Sequence, residues 1–370
     1  MIRFTCYLLL SATLSACIEP IDVNTEVESA LLVVEGFITD EPGPHTIRLS
    51  RLAKFAGELE GGNIEQEDDA EIFIEDDLGT RIEVEQQVEI VSEIMNLQTP
   101  LGLIQDTVEI PIKTIYTTPE GFRGEIGRTY VLNVRLLNGR MYQSTPQTIL
   151  PAPELDSLIF SFVKLPSADE VTFTSGLEVY SRWQDPPGEE NYYIWVANTG
   201  TYQLISRPDQ YIDPVTSTPA PKGCCAVCYV PDNLSQIIVH SDLRTDGAVQ
   251  TVLSAFIEDD GIRLKDRYLL EVNMFTVTKE AFAFHRLVQS QLSIQGSILD
   301  PPPGEITGNI TNVSDPQEVV IGFFGAYNSS QRSRFISPSD LEEPQRQVVL
   351  PDDCRTISRS STDVPTFWNN

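Results

Sequence analysis

Basic residues and histidine are what this chain has least of. Its 370 residues carry 25 Lys and Arg against 54 Asp and Glu, a formal net charge of −29, and only three His. So few cations exclude nucleic acid as a partner, because phosphate contacts need clustered Lys and Arg. They equally exclude docking on anionic lipid through charge. None of His45, His240 and His285 stands in a His-Glu-x-x-His pair, so zinc-peptidase chemistry has no support. There is no Gly-x-Ser-x-Gly elbow and no glycine-rich phosphate loop. Ser161-Phe162-Val163-Lys164 has Ser-x-x-Lys spacing without a companion Lys-Thr-Gly. Acidic runs such as Glu67-Asp68-Asp69 and Glu75-Asp76-Asp77 lack the alternation that wraps a chain around calcium. The expectation is a protein with no catalytic residue, no metal site and no cofactor. Apolar residues still make up 41%, too many for a disordered acidic tail.

Long apolar runs are missing too, except for one short stretch at the start. Arg3 is followed by the apolar segment from Phe4 to Leu14, too short to span a bilayer, and then by Leu14-Ser15-Ala16-Cys17. Small residues before a cysteine are what lipoprotein processing requires. Residues 1–16 therefore read as a lipoprotein signal peptide and Cys17 as the lipidated residue, its acyl chains (palmitate or similar) giving permanent anchoring. Residues 17–27 read as a tether. Between Cys17 and Pro100 stand 21 acidic residues and 4 basic ones, which reads as a solvated strand face.

The body of the chain has the period of strands. Leu31 to Ile38 is a short apolar run, and Thr46 to Leu49 follows a Pro-Gly-Pro turn that should leave His45 exposed. Ile72 and Ile74 alternate with acidic neighbours. Tyr130, Leu132, Val134 and Leu136 share one face of a hairpin closed by a two-residue Asn138-Gly139 loop, both at positive φ. Pro146, Pro151 and Pro153 mark a boundary, giving an acidic domain over 28–148 and a second over 155–350, with a tail at 351–370. In the second, Leu177, Val179, Ser181 and Trp183 alternate, Asp185-Pro186-Pro187-Gly188 turns, and Tyr192-Tyr193-Ile194-Trp195-Val196 returns. Further strands are expected at 235–240, 249–258, 268–276 and 319–326. Ala281, Phe284, Leu287, Val288 and Leu292 have helical spacing over Lys279–Ile294, with His285 a packing residue. The predicted fold is mainly β: two immunoglobulin/fibronectin-like β-sandwich domains with one helix near 279–294. Trp183, Tyr192 and Trp195 are candidates for a stacking ligand, against the alternative that they fill the core.

Cys224, Cys225, Cys228 and Cys354 remain once Cys6 and Cys17 are assigned to the signal and the lipid. An even number in an exported chain predicts two disulfides, with Cys354 tied to the Cys224–Cys228 loop and a Cys224–Cys225 bond the least favoured pairing. Four-thiolate zinc and a Cys-x-x-Cys redox centre are the competing readings.

Several segments in order resemble one family. They are Cys17 with Pro20; Leu32-Val33-Val34-Glu35-Gly36-Phe37-Ile38-Thr39-Asp40; Gly127-Arg128-Thr129-Tyr130; Tyr142-Gln143-Ser144; Cys224-Cys225; Leu299-Asp300-Pro301-Pro302-Pro303; Gly308-Asn309-Ile310; Gly322-Phe323-Phe324; Cys354; and Pro365-Thr366-Phe367-Trp368. Together they resemble the Bacteroidota lipoproteins grouped as domain of unknown function 4249, with Gly-Phe-Phe here where Gly-Tyr-Phe is expected. The resemblance implies an outer-membrane lipoprotein, on its periplasmic or cell-surface face, partnering a TonB-dependent barrel in uptake. A surface structural or adhesive module is the alternative function, and a hydrolase with an unrecognised site stands behind it.

Overall fold

A computed structural model of the chain describes residues 31–52, 64–99, 102–166, 173–293, 306, 308–341 and 347–368. Cys17, the signal, the tether and the proline run 301–303 lie outside the described residues. The first half holds β1 (Leu31–Thr39), β2 (Thr46–Leu52), β3 (Ile64–Gln66), β4 (Glu71–Asp76), β5 (Arg81–Thr99), β6 (Gly102–Thr117), β7 (Thr129–Arg135), β8 (Met141–Ser144) and β9 (Gln147–Thr148). Next come β10 (Leu155–Pro166), β11 (Phe173–Gln184), β12 (Tyr192–Trp195), β13 (Asn198–Ile205), β14 (Val227–Leu234), β15 (Ile238–Ser241), β16 (Val249–Glu258) and β17 (Tyr268–Thr276). The helix α1 (Lys279–Leu292), β18 (Ile310–Asn312) and β19 (Val320–Ile336) complete the set. The fold is mainly β, with one α-helix among the described residues.

Alternation builds the first core. Leu32, Val34 and Ile38 of β1, Ile47 and Leu49 of β2, Ile72 and Ile74 of β4, and Tyr130, Leu132 and Val134 of β7 point inward and are buried. Glu35, Glu71, Glu75 and Arg135 alternate with them and are exposed, as a period of two requires. The second core lies between two layers. One is the three-stranded sheet β10-β11-β16, which contributes Leu158, Leu177, Val179, Trp183 and Ile257. The other contributes Tyr202 and Leu204 from β13, Val230 from β14, and Tyr268, Leu270 and Met274 from β17. Each such aliphatic side chain stabilises the fold by about 1.5–3 kcal/mol. β11 and β12 do not pair: the turn at Asp185–Gly188 carries the chain from one layer to the other, where β12 joins β15 and β17.

The two cores share a strand. Val320–Tyr327 of β19 runs parallel to β1, and Asn328–Ile336 runs antiparallel to β17. β18 adds to β8, with Ile310 opposite Ser144. Ile310, Val320, Phe324 and Ala326 therefore belong to the first core. This corrects the expected second domain at 155–350: residues 310–327 complete the first unit instead. A period of two fixes which face of a strand is buried, not which sheet it joins. Glycine permits the approach. A Cβ on Gly322, at φ +109°, would lie 1.9 Å from the Val34 carbonyl oxygen, and one on Gly308 would lie 1.5 Å from the Gly322 oxygen. Asn309 then acts like a strand neighbour, donating from Nδ2 to the Phe324 carbonyl (2.9 Å) and accepting from its N–H (2.9 Å).

Two local expectations change. The β7–β8 hairpin does not close on two residues: Leu136 N–H donates to the Arg140 carbonyl, and Gly139 N–H to the Leu136 carbonyl. That leaves Leu137, Asn138 and Gly139 in the loop, with only Gly139 at positive φ (83°), and Asn138 Oδ1 accepts from Arg140 N–H (3.0 Å) instead. The helix ends at Leu292, which is two-thirds exposed, and its Thr278 cap accepts from Ala281 N–H (3.2 Å).

Candidate functional site

The three aromatic candidates do not form a platform. Trp183 and Trp195 are fully buried and Tyr192 nearly so. β12 is buried on both faces, so its alternate residues enter different cores. Tyr193 and Trp195 face Trp183, with ring centroids 5.0 and 5.8 Å from it. Tyr192 faces α1, 4.9 Å from the Phe282 ring. A half-buried edge strand would have left one aromatic face in solvent; this one is covered by β11 on one side and α1 on the other.

The histidines are packing residues. His45 is buried, against the expectation of exposure: its N–H donates to Thr118 Oγ1 (2.9 Å), its ring meets Phe122 edge-on, and burial lowers its pKa. His240 packs edge-on to Trp183 at 5.8 Å, and burial lowers its pKa as well. His285 Nε2 lies 3.1 Å from the Tyr327 hydroxyl, while Nδ1 is buried without a partner. Burial alone pushes its pKa down to about 4.

Beside His240 is a corner that the sequence did not nominate. Asp185 follows β11, Asp242 follows β15, and Asp246 sits in the turn before β16. Asp185 and Asp242 are fully buried, and each of the three carboxylates offers an oxygen within 4.8 Å of the others. Tyr193 O–H (2.7 Å) and Gly247 N–H (3.0 Å) donate to Asp185. The backbone N–H and side-chain amide of Asn191 donate to Asp242 at 2.9 and 3.1 Å, and Gly188 N–H donates to Asp246 at 2.9 Å. Burial raises the Asp185 pKa, the Tyr193 and Gly247 donors pull it back, and Asp242 adds to the rise. Among the described residues no Lys or Arg pairs with Asp185 or Asp242. The corner clasps the β11–β12 turn to the β15–β16 turn. Three Asp spread over sixty residues give no local signal in a chain with 54 acids.

The cysteines lie together on the rim of the second core. Cys228 is bonded to Cys354, 126 residues on, with Cα atoms 5.8 Å apart and both side chains buried. Closing so long a loop stabilises the fold by about 5 kcal/mol in the chain-entropy account. The second bond joins Cys224 to Cys225, the pairing the sequence least favoured. The physical reason is the capture of Cys354 by Cys228, whose inward position on β14 aims it at the tail, leaving the neighbours to each other. The tail is held twice more. Tyr229 and Ser361 exchange backbone hydrogen bonds, and Trp368 is buried against Tyr229 and Phe335, with the Arg267 guanidinium 4.1 Å from the Phe335 ring. Cys224, Cys225 and Asp353 also place possible ligand atoms within 4.8 Å of one another, the two sulfurs being joined in the disulfide.

Fold and sites define a mainly β protein whose two main cores are joined through one strand, cross-linked by Cys228–Cys354, with Trp183, Tyr192 and Trp195 turned inward. The chain belongs to the family described as domain of unknown function DUF4249, whose model matches residues 18–333. No curated protein and no solved structure matches it.

Proposed function

We propose that this chain is a lipid-anchored outer-membrane protein, without catalysis of its own, that serves a TonB-dependent β-barrel transporter in uptake. The observation that carries the reading is Leu14-Ser15-Ala16-Cys17 at the end of a short apolar segment behind Arg3. Acylation at Cys17 would hold the protein at a membrane without a spanning helix, and no described helix is long and apolar enough to cross one. The missing catalytic motifs support a binding role over a reaction. The partner is a transporter because the order of motifs resembles lipoproteins that accompany such barrels.

The test is a mild-detergent pull-down of the C-terminally tagged protein from native membranes, alongside mass spectrometry of the N-terminal peptide. An acylated Cys17 and a stoichiometric outer-membrane barrel are the expected results. An acylated protein recovered alone would overturn the transporter role and leave a stand-alone surface module. An unmodified Cys17 would overturn the anchoring itself.

A further inference from the structure

The two disulfides lie side by side but differ in their access to water. Cys224 is exposed and Cys225 half-buried, on the loop leading into β14. Cys228 and Cys354 are at most 1% exposed and form part of the second core. The Cys225 carbonyl accepts from Cys354 N–H (3.0 Å) and from Ser206 Oγ (3.1 Å), so the backbone of the loop stays attached to the core whatever the state of its sulfurs. The nearby charges are balanced: Asp353 is paired with Arg355 at 2.7 Å, and Lys222 with Asp352.

We propose that the Cys224–Cys225 bond is a thiol-exchange site, open to low-molecular-weight thiols while the neighbouring bond is not. Thiol–disulfide exchange needs the attacking thiolate to reach a sulfur. Here the reachable sulfur is Cys224 Sγ. An external thiolate attacks it, a bond forms between the external sulfur and Cys224, and the Cys224–Cys225 bond breaks with Cys225 leaving as thiolate. A second external thiolate attacks the external sulfur of that mixed disulfide. The external disulfide forms and Cys224 leaves as the second thiolate. Two electrons pass from the external thiols to the protein, and the two protons those thiols lost protonate Cys225 and Cys224. Cys228 and Cys354 take no part, since the core closes over both sulfurs. The loop thus accepts one thiol as a reversible covalent ligand, or two reducing equivalents, with the tail still cross-linked.

The experiment is a titration of the native full-length chain with dithiothreitol and, separately, with glutathione. Iodoacetamide quenches each sample, and peptides are mapped without further reduction. No alkylation of Cys224, Cys225, Cys228 or Cys354 is expected in the absence of thiol. Cys224 and Cys225 should become alkylated at a concentration at least about tenfold below that needed for Cys228 and Cys354, because access limits the second bond. The gap should close in urea, where burial no longer separates the two. A Cys224→Ser/Cys225→Ser variant with an unchanged circular dichroism spectrum should lose the early step and keep the late one. Free thiols at Cys224 and Cys225 before any reductant is added would overturn the proposal. So would native titrations in which both bonds open together, or Cys228–Cys354 first.

Discussion

Acid should destabilise this protein through one histidine more than through its charge alone. His285 lies on α1 with its ring 5.3 Å from that of Phe284 and 6.3 Å from that of Phe323, with Nε2 against the Tyr327 hydroxyl and Nδ1 buried without a partner. Burial alone lowers its pKa from 6.5 to about 4. A folded-state pKa below the unfolded value means that the contribution to stability is complete above pH 6.5. It is lost as pH falls from there through about 4, because the unfolded chain takes up the proton first. At 1.36 kcal/mol per unit, the loss is about 2 kcal/mol at pH 5 and about 3 kcal/mol at pH 4. Many carboxylates titrate in the same range, so the wild type alone cannot isolate the effect. His285→Gln keeps an amide for Tyr327 and has no proton to gain. Urea unfolding of both proteins at pH 7.5, 5 and 4 gives the difference directly. The wild type should lose about 2–3 kcal/mol more than the variant between pH 7.5 and 4. Parallel curves would refute the reasoning, because they would mean that the ring nitrogens already reach water in the native state.

At the carboxylate corner the sign is opposite. Burial raises the Asp185 pKa, so its contribution is present at low pH and lost as pH rises through the raised value; chemical denaturation across that range should show a slope that Asp185→Asn removes. Trp183→Ala empties a fully buried site against Tyr193 and Trp195 and should cost about 3–5 kcal/mol, read from urea midpoints. Gly322→Ala puts a methyl group onto the Val34 carbonyl at a positive φ; it should yield insoluble or markedly less stable protein, whereas Gly79→Ala, whose Cβ meets nothing within 4 Å, should lose at most about 1–2 kcal/mol to the backbone conformation alone. A chain ending at residue 305 lacks β18 and β19, and its first core should fail to give a cooperative unfolding transition even though β1 to β9 are intact.

The strands themselves were legible because their signal is local. β16 and β17 begin and end where alternation and apolar content place them, at Val249–Glu258 and Tyr268–Thr276. The second half of β19 was not legible. Asn328 to Arg334 is a run of seven polar residues with no apolar alternation, and the expected strand stops at Ala326. What extends it is partnership: β17 along its length, Ser330 Oγ accepting from Leu155 N–H (2.9 Å), Ser329 N–H donating to Asp40 (2.8 Å), and Arg334 donating to the Leu158 carbonyl (3.3 Å). The aspartate corner was hidden for a related reason. Its members come from separate turns, and only the crossing of the chain between layers at Asp185 brings them together. The aromatic residues were read correctly as residues of the β11 and β12 region, but burial on both faces of a four-residue strand is a property of its neighbours, not of its sequence.

The position of β1 bears on how an anchored protein would carry load. β1 is the first described element after the proposed tether, and it is not an edge strand: β2 pairs with it on one side and β19 on the other. Pulling the N-terminus away must therefore break two ladders together. On the β19 side the partners run parallel from Leu32–Val320 to Thr39–Tyr327, so tension along β1 shears the hydrogen bonds as a set rather than opening them one after another. That same β19 continues into the second core, where β17 holds it through Tyr268–Thr276. A strand inserted from the far end of the chain is costly to form, because it closes a loop of nearly 290 residues. What the arrangement supplies is an N-terminus secured by both cores. That suits the anchoring proposed at Cys17, and an N-terminal edge strand would not provide it.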